Sequence, residues 1–451
     1  IIEEELHDKK FIEERTEEFE GVAETVKKYT PEYVEELTGI KADDLVQAAR
    51  LYANAGAGSI LYCMGITQHT SGVDNVKSLA NLAMLTGNMG KPGGGVNPLR
   101  GQNNVQGACD MGGLPNVLTA YQPVVNLDAI KKMEDAWGVK GLPTEIGLTV
   151  TKMLPKAHDG ELKAMYIIGE NPLVSDADLN HARACIEHLD FLVVQDIFLT
   201  ETAQIADVVL PSRCFAEKEG TFSNTERRVQ RVREAVQPPG EARYDWEITG
   251  AIAARMGYDG LTYKNSEEIF EELRTVTPSY AGITYDRIED IGLHWPCPTD
   301  EHPGTPILHT AQFTRGKGLF HAIDVQPPAE ETDADYPMYL TTGRLLYQYH
   351  TGTMTMKSED LNVRAPGSFV EITEADAARY ELTDGDMVEV ASRRGAIQAT
   401  VQISDKAVDG TVFIPFHFST AAANVLTNAA LDPVCGIPEF KVCAVKLSKA
   451  A

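Results

Sequence analysis

The chain has 451 residues, 43% of them hydrophobic, which is enough for about two to four domains with packed cores. Sixty-six acidic side chains against 40 basic give a net charge of −26, which argues against nucleic acid or an anionic membrane surface as a partner. No apolar run reaches the roughly 18 residues of a direct membrane span, no signal-like segment opens the sequence, and no two of the seven cysteines are spaced C-x-x-C, which speaks against a zinc or cluster site and for a reducing compartment.

In chain order, residues 1–102 alternate helix and strand. Asp43–Ala55 (DDLVQAARLYANA) carries apolar residues at helical spacing and stops before glycines; SILYCMG reads as a buried strand and VDNVKSLANLAML as the next helix. A second α/β unit is expected over 103–215, with AMYII, FLVVQDIF and DVVLP as strands and Asp176–His188 helical. Ligands of open parallel sheets bind at the carboxyl ends of the strands, and the loops GENPL, QDIFLT and LPS fall at such ends. Residues 216–335 read as a mixed connecting region. It holds a basic run (Arg227–Arg233), a helix around Trp246–Met256, and a Pro- and charge-rich stretch, Pro296–Asp335, expected to run as a long connection over the surface. From 336 to 451, short strands (MYLTT, SFVEI, DMVEVAS, AIQATVQI, TVFIPF) separated by turn signals such as Thr383-Asp384-Gly385-Asp386 suggest a small β-barrel.

The most informative stretch is Gly93–Gly113, GGGVNPLRGQNNVQGACDMGG, an extended loop that must pass close to something. Arg100 sits among the amides Asn97, Gln102, Asn103, Asn104 and Gln106, and its guanidinium fork suits a small planar carboxylate. The plainer alternative is a surface loop whose arginine caps a nearby helix. Cys109 has Ala108 and Asp110 as neighbours; a carboxylate raises a thiol pKa, so it reads as structural. There is no G-x-S-x-G elbow, H-E-x-x-H pair or Walker loop to support a hydrolase or nucleotidase.

Five blocks, in order, resemble the molybdenum- and tungsten-dependent formate dehydrogenases of the DMSO reductase superfamily. They are Tyr62–Asn116, YIIGENPL, VVQDIFLTETAQIADVVLPS, EGTFSNTERRVQ and TTGRLLYQYHTGTMT; RGQNNVQGACDMG resembles formate dehydrogenases rather than nitrate-reducing relatives. The resemblance implies an α/β, multi-domain molybdopterin oxidoreductase with Rossmann-like domains (1–102 lining the active site, 103–215 binding cofactor) and a pterin-binding C-terminal barrel (336–451). It implies a bis-molybdopterin guanine dinucleotide carrying Mo or W. Family members open with a cysteine cluster for an iron–sulfur centre and then a metal-ligating cysteine or selenocysteine. This chain opens with Ile1 and has neither, so it is expected to be the C-terminal part of a longer polypeptide with its [4Fe-4S] cluster upstream.

On that resemblance, Arg100 and Gln102 are the expected substrate-positioning residues. Guanine offers adjacent N–H donors, so carboxylates at strand ends are its natural partners: Asp196 is preferred and Asp207 second, with Glu170 also placed, although each could instead cap a helix. Gly169, Asn171, Pro172, Ser175, Gln195, Thr200 and Pro211 complete the strand-end set. Met64 and Gln68 are expected along the cofactor, Met64 having core as its alternative. Thr342, Gly343, Arg344, His350, Gly352, Thr353 and Thr355 form the polar loop leaving the first barrel strand, with donors for phosphate and pterin. Asn224, Arg228, Asn424 and Lys441 are weaker candidates, the arginine run being otherwise a solvated face and Lys441 otherwise a surface charge. The implied partners are formate or CO2 and an electron-transfer subunit carrying iron–sulfur clusters, flavin or both. The expected location is cytoplasmic, with periplasmic export left open. The competing readings are a nitrate-type oxyanion reductase and a non-catalytic pterin-binding assembly subunit.

Overall fold

The computed structural model describes residues 1–450 and divides into two compact units, each described by itself. The first comprises Ile1–Leu99, Ile307–Pro328 and Asp432–Ile437. Its Ala42–Asn54 helix starts with Asp43 and Asp44 in the first turn, where acidic side chains complement the helix dipole. Ser59–Tyr62 pairs in parallel with Gly95–Pro98, so the glycine-rich stretch begins as a short edge strand. The Gly72–Leu85 helix carries the core: Met84 and Leu85 pack with Val22, Phe313 and Phe320.

That packing corrects the surface-connection reading of Pro296–Asp335. Residues 307–328 belong to this unit and place Phe313 and Phe320 in its core, with Phe320 only 3% exposed and Gly318–Leu319 paired to Thr16–Glu17. Asn81 exchanges hydrogen bonds with the backbone of His321 (2.7 and 3.1 Å), which fixes the returning chain against the helix. Asp432 accepts from the Val73 amide at 2.9 Å and so satisfies a free donor at the start of the same helix.

The second unit comprises Arg100–Pro306, Ala329–Leu431 and Pro438–Ala451. Ala164–Ile168, Phe191–Asp196 and Val208–Pro211 form a parallel sheet in that order. Helices Val150–His158 and Leu179–Glu187 pack together, and Ile167, Leu192 and Val194 share a core with Leu154, Ala182 and Ile186. Gly220–Ser223 and Arg228–Val232 make an antiparallel hairpin that Leu293–His294 extends.

The C-terminal strands close into a barrel of order Met338–Gly343, Thr411–Pro415, Phe369–Ile372, Ala396–Ile403, Met387–Ala391, Cys443–Lys449. Val388 and Val390 face its core on either side of Glu389, and Val370, Ile372, Val412 and Ile414 are fully buried. Each such side chain contributes roughly 1.5–3 kcal/mol on burial. The closing strand, Cys443–Lys449, is not among the strands expected from sequence. Its first three residues are all buried, so the alternation that marks a half-exposed strand is absent there.

Candidate active site

The parallel sheet delivers three loops to its carboxyl edge. Gly169 adopts φ +64°, a left-handed turn that glycine makes without strain, with its amide held by the Gln195 carbonyl at 2.8 Å. Glu170 follows and accepts from Ser175 Oγ at 2.7 Å and from the Asn171 amide at 3.2 Å. Asn171 is buried; its Nδ2 donates to Glu201 (2.8 Å) and Thr353 (3.4 Å), and its Oδ1 accepts from Thr202 Oγ at 2.7 Å. Pro172 starts the short Pro172–Ser175 helix, where its missing N–H costs nothing.

Asp196, at the end of the central strand, is 9% exposed, and its Oδ1 accepts from the amides of Ile197 (2.7 Å) and Phe198 (3.2 Å). Burial, outweighing those two bonds, raises its pKa, and Glu170 adds to the rise. Asp176, which sequence reasoning missed, lies beside this cluster with one oxygen, Oδ2, sequestered and unbonded. Burial first, and then Glu170, push its carboxyl up to about 7. A sequestered acceptor with no donor is rare in folded proteins and marks a position where a ligand's donors fit.

The loop after the first barrel strand, residues 343–355, reaches the same region through the Asn171–Thr353 contact. Gly343 has no room for a side chain, because a Cβ would meet the Phe413 ring. Thr351 and Thr353 share a hydrogen bond (2.9 Å), and Thr355 Oγ donates to Gln348 while accepting from the Tyr349 amide. Gly352 (φ +71°) would drive a Cβ into the His417 carbonyl at 2.5 Å. His350 also has positive φ (49°), an uncommon conformation for a histidine. Burial lowers the His350 pKa, Glu170 opposing and Arg344 reinforcing that shift, so these three side chains share one electrostatic neighbourhood.

His417 holds this loop and carries no motif signal. Its ring is fully buried, Nε2 accepts from the Leu345 amide at 2.7 Å, and Nδ1–H donates to the His350 carbonyl. The Leu345 bond requires an unprotonated Nε2, and burial, outweighing the His350 carbonyl, lowers the ring's pKa below the usual value. A base whose folded pKa is depressed contributes its full stability above the unfolded value of about 6.5 and loses it as pH falls through the folded value. The protein is therefore expected to lose urea resistance on acidification below about pH 6.5. His417→Gln, which keeps a donor and an acceptor but does not titrate there, should lose less. Identical acid limbs for variant and parent would show that His417 is not the group responsible.

Arg100 begins the second unit as an exposed side chain. Its backbone N–H donates to Thr225 Oγ (3.2 Å) and its Nη1 to Cys109 Sγ (3.5 Å). The next residue, Gly101, would place a Cβ 2.5 Å from Arg344 Nη1, so the glycine brings the Arg344 guanidinium against the Arg100 loop. Among the described residues neither guanidinium has a carboxylate within ion-pair distance. The loop is fixed further on, where Tyr349 OH accepts from the Asn103 amide (2.5 Å) and Asn104 Oδ1 from the Ser223 amide (2.9 Å). Gln102 is half-buried, and its carbonyl accepts from the Val105 amide at 3.4 Å, opening the short helix Val105–Asp110. The expected surroundings of Cys109 change accordingly. Both Asp110 oxygens are taken by other donors, and the cation Arg100 is the neighbour of the thiol.

Other candidates stand apart from this cluster or are engaged elsewhere. Asp207 is a correction: it precedes Val208–Pro211 and accepts from the Leu192 amide (2.7 Å), at the amino edge of the sheet. Gln195 is buried between Tyr166 and Asp245. Thr200 accepts from the Ala203 amide (3.1 Å), and the Pro211 carbonyl takes the Arg243 amide (3.2 Å). Asn224 shapes the hairpin turn by accepting from the Glu226 and Arg228 amides, and Arg228 pairs with Glu226 at 2.7 Å. The rest of the basic run is similarly spent: Arg231 lies 3.9 Å over the Tyr285 ring, and Arg231 and Arg233 both reach Glu289. Asn424 donates to the carbonyls of Val174 (3.0 Å) and Ser175 (3.1 Å), and thus positions the Glu170 loop. Lys441 donates to the Thr342 carbonyl at 2.6 Å, and Thr342 Oγ to the Phe440 carbonyl at 2.8 Å. Met64 and Gln68 bound the Met64–Thr67 turn of the first unit, where the Gln68 amide closes onto the Met64 carbonyl at 3.0 Å.

Comparison with known proteins adds names to this geometry. The family model "Molybdopterin oxidoreductase" matches residues 1–255, and "Molydopterin dinucleotide binding domain" matches residues 338–444. The F420-dependent formate dehydrogenase subunit alpha of Methanocaldococcus jannaschii is 52% identical over all of this chain and 67% of its own length. The F420-dependent formate dehydrogenase 1 subunit alpha of Methanococcus maripaludis is 51% identical, over 66% of its length. Formate dehydrogenase H of Escherichia coli is 43% identical, over 64%. The chain therefore spans about two thirds of the length of these relatives. Among solved structures, acetylene hydratase from Pelobacter acetylenicus superposes with a TM-score of 0.74 over the whole chain and 69% of its own, at 18% identity, a likeness of fold.

Proposed function

Because the chain belongs to the molybdopterin oxidoreductase family, we propose that it is the catalytic part of a formate dehydrogenase, taking formate to CO2, one proton and two electrons, or the reverse. The observation that carries this reading is Arg100. It is an exposed guanidinium without a carboxylate partner, in a loop whose next residue, Gly101, leaves room for a second guanidinium without a carboxylate, that of Arg344. Formate is the smallest carboxylate, and a guanidinium fork binds it bidentately, which leaves its C–H free to be aimed. Gln102, two residues on, supplies an amide for orientation.

The dinucleotide-binding match supports a molybdenum- or tungsten-pterin as the cofactor. The residues present suit such a group. The sequestered Asp176 oxygen and the Asp196 carboxylate are acceptors for a purine edge, while Arg344 and the hydroxyl-rich 351–355 loop suit phosphate and pterin oxygens. When bound, that group supplies the two-electron redox centre; the side chains of this chain bind, orient and exclude water. We further infer that electrons leave through a [4Fe-4S] centre to a partner subunit carrying iron–sulfur clusters, flavin or both. The alpha-subunit names of the relatives support a multi-subunit enzyme, and their F420 dependence supports a deazaflavin as final acceptor. Among the described residues no helix is long and apolar enough to cross a membrane. Seven free thiols support a reducing, cytoplasmic location. The test is formate-dependent dye reduction by the full-length protein, paired with metal and pterin analysis. Stoichiometric cofactor without formate turnover, in protein that reduces nitrate instead, would overturn the reading.

A further inference from the structure

Asp110 is fully buried, yet it carries no part of the motif-based assignment. Four neutral donors converge on its two oxygens. Gln106 Nε2 (2.7 Å) and Tyr121 OH (2.9 Å) donate to Oδ1; Tyr280 OH (2.6 Å) and Trp295 Nε1 (2.8 Å) donate to Oδ2. Such a set satisfies a buried carboxylate without an ion pair. The donors come from residues 106, 121, 280 and 295, so one side chain ties together two stretches far apart in sequence, 106–121 and 280–295. Tyr280 and Trp295 stack (6.3 Å between centroids), and the Arg227 guanidinium lies 5.4 Å from the centre of the Trp295 ring. Arg227 also donates to the carbonyls of Trp295 and Thr305, which fixes the turn of the hairpin.

Both supports of Arg100 rest on this network. Its guanidinium touches the thiol of Cys109, the residue next to Asp110 on the same short helix. Its backbone amide is held by Thr225, in the hairpin turn that Arg227 secures against Trp295. Ser223, at the start of that turn, meets Tyr280 OH at 3.2 Å and donates its amide to Asn104. We propose that Asp110 is a positioning residue for formate: by clamping the Val105–Asp110 helix against Tyr121, Tyr280 and Trp295 it sets the direction in which Arg100 presents its fork. This inference rests on the formate reading above.

Asp110→Asn keeps the shape but turns one acceptor into a donor facing donors. The expected result is a rise in the formate KM of about tenfold or more, the cost of misplacing a charge-assisted bidentate contact, with kcat changed far less and metal and pterin content at the parental level. Tyr280→Phe, which removes one donor and keeps the ring, should raise KM in the same direction by a smaller factor of about two to five. The decisive measurement is a double-mutant cycle. Once Arg100 is Lys, adding Asp110→Asn should change kcat/KM by less than about twofold, because its effect acts through the fork. Fully additive losses, or a fall in cofactor content that accounts for the lost activity, would reduce Asp110 to a structural anchor and overturn the proposal. If Asp110→Asn fails to fold, an unchanged KM in Tyr280→Phe overturns it equally. An Arg100→Lys enzyme with undiminished formate oxidation would instead overturn the functional reading itself.

Discussion

An Arg100→Lys variant is expected to oxidise formate at a small fraction of the parental kcat/KM while keeping its metal and pterin. Lysine preserves the charge but presents a point ammonium in place of a planar fork, so one of two parallel N–H···O contacts to the carboxylate is lost. Hydrogen bonds to charged groups are worth about 1.5–3 kcal/mol each, which corresponds to roughly ten- to a hundredfold in kcat/KM. The Thr225 contact is made by the backbone amide of residue 100 and survives the substitution, whereas the contact to Cys109 Sγ belongs to the lost guanidinium. Arg100→Ala should lose more, because no cation then remains at that position. Retained cofactor is the informative control, since it separates substrate binding from assembly. Full formate oxidation by either variant would mean that Arg100 is a loop residue and the carboxylate is held elsewhere.

How much of this site was legible in the sequence depends on how far apart its partners lie. Arg100 stands out locally, a lone cation in a run of glycines and amides, and the strand ending at Asp196 follows from a short apolar run and its direction. Direction also explains the error at Asp207: the apolar run VVLP begins after it, so in a parallel sheet it falls at the amino edge. The Asp110 cluster was not legible, because Tyr280 and Trp295 are 170 and 185 residues away and nothing local marks an aspartate that will be fully buried. Residues 307–328 were misread for a related reason. Phe313 and Phe320 are isolated among prolines and charges, and only contact with Met84 and Val22 makes them core. The arginine run was visible as charge, but its partners Glu289 and Tyr285 lie more than fifty residues downstream.

Retention of the cofactor gives the second large expected effect, and Asp196 is where two explanations can be separated. Its Oδ1 accepts from the amides of Ile197 and Phe198 in a side chain 9% exposed, so it caps the turn that leaves the strand whatever else the residue does; no helix starts there, the next helical turn being Ala203–Ile205. Asp196→Ala would remove that cap and any guanine contact together, which makes it a blunt instrument. Asp196→Asn is sharper. The amide oxygen still accepts from both backbone donors, while the second oxygen becomes an NH2 that faces the N–H donors of a guanine edge. Buried donors left unpaired cost about 1–3 kcal/mol, or roughly five- to a hundredfold in affinity. If Asp196 holds guanine, Asp196→Asn protein should purify with sharply reduced metal and pterin, although its cofactor-free form melts at the parental temperature. If capping is its whole role, the asparagine should be silent in both measurements and only the alanine should lower the melting temperature. Parental cofactor content in Asp196→Asn would therefore transfer the guanine assignment to Asp176, whose sequestered Oδ2 has no donor.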